Sequence, residues 1–148
     1  MNITENFTMA ELTESQIATR LGIDNTPDEH AFRNLVKLAK SLQDIRDLIN
    51  APLIITSGYR GPKLNEHIGG SKTSVHMKGF AADIRSHSFG TPYQLADAII
   101  NSPIQFDQLI LEFNSWVHFG LNQGKWRNQV LTAMKVEGQT VYHTGLIQ

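Results

Sequence analysis

The spacing of apolar residues changes twice along this chain. In the first third, Phe32, Leu35, Val36, Ala39, Leu42, Ile45 and Ile49 recur at steps of three and four. Those steps put them on one stripe, so the stretch is expected as an amphipathic helix packed on a core. Thr26, Pro27 and Glu29 are expected to open it, as a cap, a proline at the first helical position and an acid at the third. Before it, Thr8 with Glu11 reads as a capping box for a short helix running to about Leu21. Both helices read as scaffold.

After Pro52 the period shortens. Leu53, Ile54, Ile55 and Thr56 are apolar or β-branched and read as a buried strand. Residues 57–79 are rich in glycine and polar side chains. Residues 81–85 read as a second strand, and Thr91 with Pro92 starts a helix through about Ile100. Residues 106–112 and 116–121 read as two strands joined by the turn Phe113-Asn114-Ser115. Residues 130–136 and 140–143 read as a final hairpin around Glu137-Gly138. The order gives an α+β fold, with N-terminal helices packed on a mostly antiparallel sheet that carries one inserted helix. The chain reads as a single domain over residues 1–148.

Composition narrows the function classes. The formal net charge is −1 and charged residues make up 18% of the chain, which argues against a basic nucleic-acid face or a polybasic membrane patch. No apolar run is long enough to span a membrane. The opening MNITENFTMAELTES lacks the basic start and apolar core of a signal peptide, so synthesis in the cytoplasm is expected. There are no cysteines. Any metal site must therefore use His, Asp and Glu, a set that suits a catalytic centre better than a structural one.

Three segments hold polar residues that a plain scaffold would not need. They are Ser57-Gly58-Tyr59-Arg60, the run from Ser74 to Asp83, and the run from Glu112 to His118. Asp83 lies in the apolar strand Ala81-Ala82-Asp83-Ile84, where a carboxylate is costly unless paired or bound to a metal. His76 lies just before that strand. His118 sits in the alternating strand Trp116-Val117-His118-Phe119-Gly120, on one face with Trp116 and Gly120. Two imidazoles and a carboxylate form a three-ligand set with a fourth position open, the arrangement of catalytic zinc. Zinc chemistry of this kind also needs a carboxylate to take a proton from water and pass it to the leaving amine. Glu112 ends the strand that pairs with the His118 strand, and a tight turn would bring it to the same end of the site. Taken singly, a strand histidine is ordinarily a packed or surface residue, and a lone aspartate is ordinarily a cap or a surface charge.

The residues Ser74, His76, Gly79, Ala81 and Asp83 form Ser-x-His-x-x-Gly-x-Ala-x-Asp, with Ser57-Gly58-Tyr59-Arg60 upstream and Trp116-Val117-His118 downstream. From about Phe7 to Leu121 the chain resembles the zinc D-Ala-D-Ala carboxypeptidase family. That family includes phage L-Ala-D-Glu endopeptidases, and its fold is shared by hedgehog signalling domains. The opening Phe7-Thr8-Met9-Ala10-Glu11 is similar to small phage-borne and prophage-borne members. The resemblance implies Zn²⁺ as cofactor, held by His76, Asp83 and His118. It implies Arg60 as the group that meets a substrate carboxylate or carbonyl, and Ser74 as a residue lining the substrate pocket. Several members carry an acid three residues before the last histidine ligand, where this chain has Ser115. Glu112, six residues before His118, matches the spacing of the hedgehog-type branch and is the expected general base. Trp116 stands where some members have a histidine, and is expected to wall the pocket.

The implied function is a zinc metallopeptidase acting on peptidoglycan stem peptides, by a D-Ala-D-Ala carboxypeptidase or an L-Ala-D-Glu endopeptidase cut. The implied setting is the degradation of cell wall by an endolysin, reached after lysis, on a phage particle or by non-classical export. Two alternatives stand beside it. One is a non-catalytic, zinc-holding recognition or structural module, such as a phage tail component. The other is a metal-free domain that shares only the pattern.

Overall fold

Helix α3 (Glu29–Ile49) forms where the apolar stripe predicts it, and buries Leu35, Leu38, Leu42 and Ile45 completely. Its cap is not Thr26. Asp28 fills that place, its side chain accepting the Ala31 N–H at 2.8 Å. Thr26 precedes a proline, which disfavours helical backbone, and its N–H is turned back onto Asp24 Oδ1. The expected first helix also divides. It forms α1 (Met9–Thr13), opened by the Thr8–Glu11 capping box, and α2 (Gln16–Leu21), capped by Ser15. The break follows from where the α1 carbonyls go: Leu12 O accepts from Tyr59 N–H at 2.7 Å, and Thr13 O from the Asn25 amide at 2.8 Å. Carbonyls given to distant partners cannot continue a helix.

The remaining elements are β1 (Ile54–Ser57), α4 (Pro62–His67), a short 3₁₀ turn (Val75–Lys78), β2 (Ala81–Arg85), α5 (Pro92–Ile100), β3 (Gln108–Glu112), β4 (Trp116–Gly120), β5 (Gln129–Val136) and β6 (Gln139–Thr144). This computed structural model describes residues 2–148; Met1 lies outside the described residues. Six strands form one sheet in the order β1-β2-β4-β3-β5-β6. Every neighbouring pair is antiparallel except β3 with β5, which run parallel. The α+β reading holds. The expectation that residues 53–56 form a buried strand does not. β1 is an edge strand, with Ile54 44% exposed.

Alternation fixes which face of the sheet does what. Ala82 and Ile84 of β2, Leu109 and Leu111 of β3, and Val117 and Phe119 of β4 join the α3 and α5 side chains in one buried cluster. Asp83, Arg85, Glu112, Trp116 and His118 therefore share the opposite face. Among the described residues no helix is long and apolar enough to cross a membrane.

Candidate metal centre

Strand register brings two of the three expected ligands together. Asp83 and His118 are direct partners across β2 and β4, the closest approach two side chains on one face can have. His76 arrives from the 3₁₀ turn, which Ser74 opens by accepting the His76 N–H. That turn ends on Gly79 at φ 77°, and a Cβ there would press on the Ala31 carbonyl of α3, so only glycine fits. The chain then enters β2 directly, and His76 folds back over Asp83.

His76 Nε2 lies 3.4 Å and His118 Nδ1 3.2 Å from Asp83 Oδ1. The three ligand atoms lie within 4.8 Å of one another, and both imidazoles are buried. Two atoms each 2.0–2.1 Å from one tetrahedral zinc would be about 3.3–3.4 Å apart, close to the observed spacings. The tautomer of His76 is set by its other nitrogen. Nδ1 lies 2.8 Å from Gly58 O; a carbonyl can only accept, so Nδ1 carries a proton and Nε2 is the nitrogen that faces Asp83 and would take a cation. Burial alone would push the Asp83 carboxyl up. The hydrogen bonds and charge of His118 and His76 outweigh burial and hold it well below the usual carboxylate range. One carboxylate oxygen and two imidazole nitrogens facing one point are a donor set for a cation, so the residues present fit zinc.

Gly58 is placed by β1. The strand bulges between Ile55 and Ser57, which lets Ser57 pair with Asp83 and turns the following residues toward the site. A Cβ on residue 58 would collide with the Leu12 carbonyl of α1. Asn25 clamps the next residues, accepting the Gly61 N–H at 2.7 Å and donating to Tyr59 O at 3.0 Å. The N-terminal elements thus hold the segment that carries Arg60.

Arg60 is half-buried and its Nη2 donates to Ser74 Oγ at 3.1 Å. Burial depresses its pKa, opposed by the negative charges of Asp83 and Glu112, which places its guanidinium in the field of the metal cluster. Its Nε is buried without a partner. A groove of about 620 Å³ is lined by Gly58 and Arg60 at the site and by Ser57, Ile55, Glu14 and Ile17 beyond it.

Glu112 pairs with Trp116 across the β3–β4 ladder. Phe113 and Asn114 both take left-handed backbone, at φ 54° and 52°, and Ser115 N–H closes the turn on Glu112 O at 2.9 Å. The Glu112 carboxylate reaches 4.0 Å from His118 Nδ1. Burial raises its pKa first and the nearby Asp83 adds to the rise, while His118 and Arg60 oppose it. Ser115 spends its hydroxyl on the Phe113 carbonyl at 3.0 Å, inside the turn. Trp116 stacks edge-on against Phe113 at 5.8 Å. Its indole N–H is buried near Glu112 without reaching hydrogen-bond geometry.

All seven residues singled out from the sequence thus gather on or beside one face of the sheet. Sequence reading passed over the Gly58 carbonyl behind His76, although its segment was marked for Arg60. It also passed over Arg85, on the same face as Asp83; the alternation Asp83-Ile84-Arg85 was the available signal.

A family model described as Peptidase M15 matches residues 5–120. The chain belongs to this family. Peptidase M15 is a zinc metallopeptidase family, and in this member the His76, Asp83 and His118 cluster is the group that could hold the metal. The match covers every element from α1 through β4; the β5–β6 hairpin lies beyond it. No curated protein matches the chain.

Proposed function

We propose that this M15 peptidase hydrolyses peptide bonds in peptidoglycan stem peptides, by a D-Ala-D-Ala carboxypeptidase or L-Ala-D-Glu endopeptidase cut, after release from the cell by lysis or on a phage particle. The observation that carries the reading is the Glu112 carboxylate, directed at His118 beside the three-ligand cluster, with Arg60 in the same field. Bound zinc would supply polarisation of the scissile carbonyl and a more acidic water. The chain supplies the rest. Arg60, steadied by Ser74, meets a carboxylate or carbonyl of the peptide with a planar fork. Glu112 accepts the proton of the attacking water on Oε1 and returns it to the leaving amine. Its raised pKa makes that return easier than from an ordinary carboxylate. Trp116, paired with Glu112 across the β3–β4 ladder, walls the cleft beside it.

The test is hydrolysis of a synthetic stem pentapeptide by the zinc-loaded protein, with the products separated. Free D-alanine marks the carboxypeptidase cut, and a released fragment beginning at glutamate marks the endopeptidase cut. A protein that binds zinc and the peptide but cuts neither bond would instead be a recognition module.

A further inference from the structure

Beyond the metal cluster, the same face of the sheet carries a second cation. Arg85 lies two residues past Asp83 on β2, about 7 Å along the strand by the usual rise. It lines a cavity of about 290 Å³ with His87, Gly90 and Pro92 on one side and the β3–β4 turn residues Asn114 and Ser115 on the other. No residue lining this cavity carries a carboxylate. Among the described residues no acid forms an ion pair with Arg85, and its Nε is buried with no hydrogen-bond partner. A buried charged donor left unpaired is costly, and an anionic acceptor restores what is lost.

We propose that the Arg85 cavity is a carboxylate subsite, taking a second acidic group of the substrate beside the one met by Arg60. The substrate class it selects is a peptide with an acidic residue next to the scissile bond. Within the stem-peptide reading, on which the identity of that peptide rests, it favours the cut beside glutamate. A glutamyl residue uses one carboxyl in the chain and keeps the other free. The turn residues Asn114 and Ser115 set the far wall, so the β3–β4 turn that aims Glu112 also limits the size of the acidic group.

The experiment is a titration of the zinc-loaded protein with N-acetylglutamate and, separately, its uncharged diamide, N-acetylglutamine amide, following the Arg85 Nε–H signal by NMR and the affinity by calorimetry. The expected result is a shift of that signal with the acid alone, and a preference for the acid of roughly 10-fold or more. Arg85→Gln, with zinc content and circular dichroism unchanged, should bring the preference to within roughly 2-fold. Arg85→Lys should restore part of it, since an ammonium keeps the charge without the fork. A stationary Arg85 signal in the wild-type protein, or a preference that survives Arg85→Gln, overturns the subsite. The readout is binding, so the two proposals fail separately. A protein that cut no stem peptide would sink the function and leave this titration standing. Cleavage with an unresponsive Arg85 would sink the subsite alone.

Discussion

At the scale of single residues, the site depends on a few atoms whose orientation is already set. Gly58 O fixes the His76 tautomer, β-ladder pairing fixes Asp83 against His118, and the left-handed pair Phe113 and Asn114 fixes Glu112. Removing one ligand leaves two, which hold zinc poorly. His118→Ala is expected to lose stoichiometric zinc by mass-spectrometric metal analysis; full occupancy in that variant would exclude His118 as a ligand. Glu112→Gln keeps the shape and the metal but cannot accept a proton. Its turnover is expected to fall about 10²–10⁴-fold with zinc content unchanged, and turnover within a few-fold of wild type would remove Glu112 as the base. The candidate cluster was legible because Ser74, His76, Gly79, Ala81 and Asp83 carry a family pattern. Arg85 was not, because an arginine ending a strand carries no motif, and its cavity is formed by residues distant in sequence.

At the scale of elements, the pattern located β2, α5, the β3–β4 hairpin and the β5–β6 hairpin closely, because each is specified by local alternation, caps and turn residues. It misplaced what depends on distant partners. The helix before Leu21 breaks because Leu12 and Thr13 give their carbonyls to Tyr59 and Asn25. β1 reads as a buried strand because its composition is apolar, yet strand order makes it an edge. The contact between α1 and the residue after β1 gives the next prediction. In Gly58→Ala the new methyl group meets the Leu12 carbonyl, and the backbone behind His76 must shift. A loss of about 1–3 kcal/mol in stability is expected from denaturant unfolding, together with weaker zinc retention in a chelator competition. Unchanged zinc retention would mean that the Gly58–His76 bond does not hold the ligand.

At the scale of the whole molecule, the sheet is completed by a hairpin beyond the family match, and its docking is electrostatic as well as apolar. After β4 the chain crosses back to lay β5 parallel to β3, a pairing that local pattern could not reveal. Arg127, on that crossing, binds the buried Asp107 just before β3 with Nε at 2.7 Å and Nη2 at 2.8 Å. The bond to Arg127 holds the Asp107 carboxyl below its ordinary 3.8, with burial opposing. A carboxyl whose pKa is lowered by folding adds stability that is present above its unfolded value and lost as pH falls through its folded value. Arg127→Met should therefore be less stable than wild type at pH 7. The gap should narrow as pH falls through the lowered folded value of Asp107, where the carboxyl becomes protonated in both proteins. Parallel stability curves across that range would show that the pair does not couple the crossing to the sheet.

The proposed function assigns this face of the sheet the zinc-dependent cutting of peptidoglycan peptides. Mass spectrometry of purified muropeptides tests it directly, comparing the zinc-loaded protein, a chelator-treated sample and the zinc-loaded Glu112→Gln variant. The expected result is loss of a terminal D-alanine, or release of the stem fragment at glutamate, in the first sample alone. Intact muropeptides in the first sample, with zinc confirmed in the protein, would contradict it, as would cleavage that persists in either control.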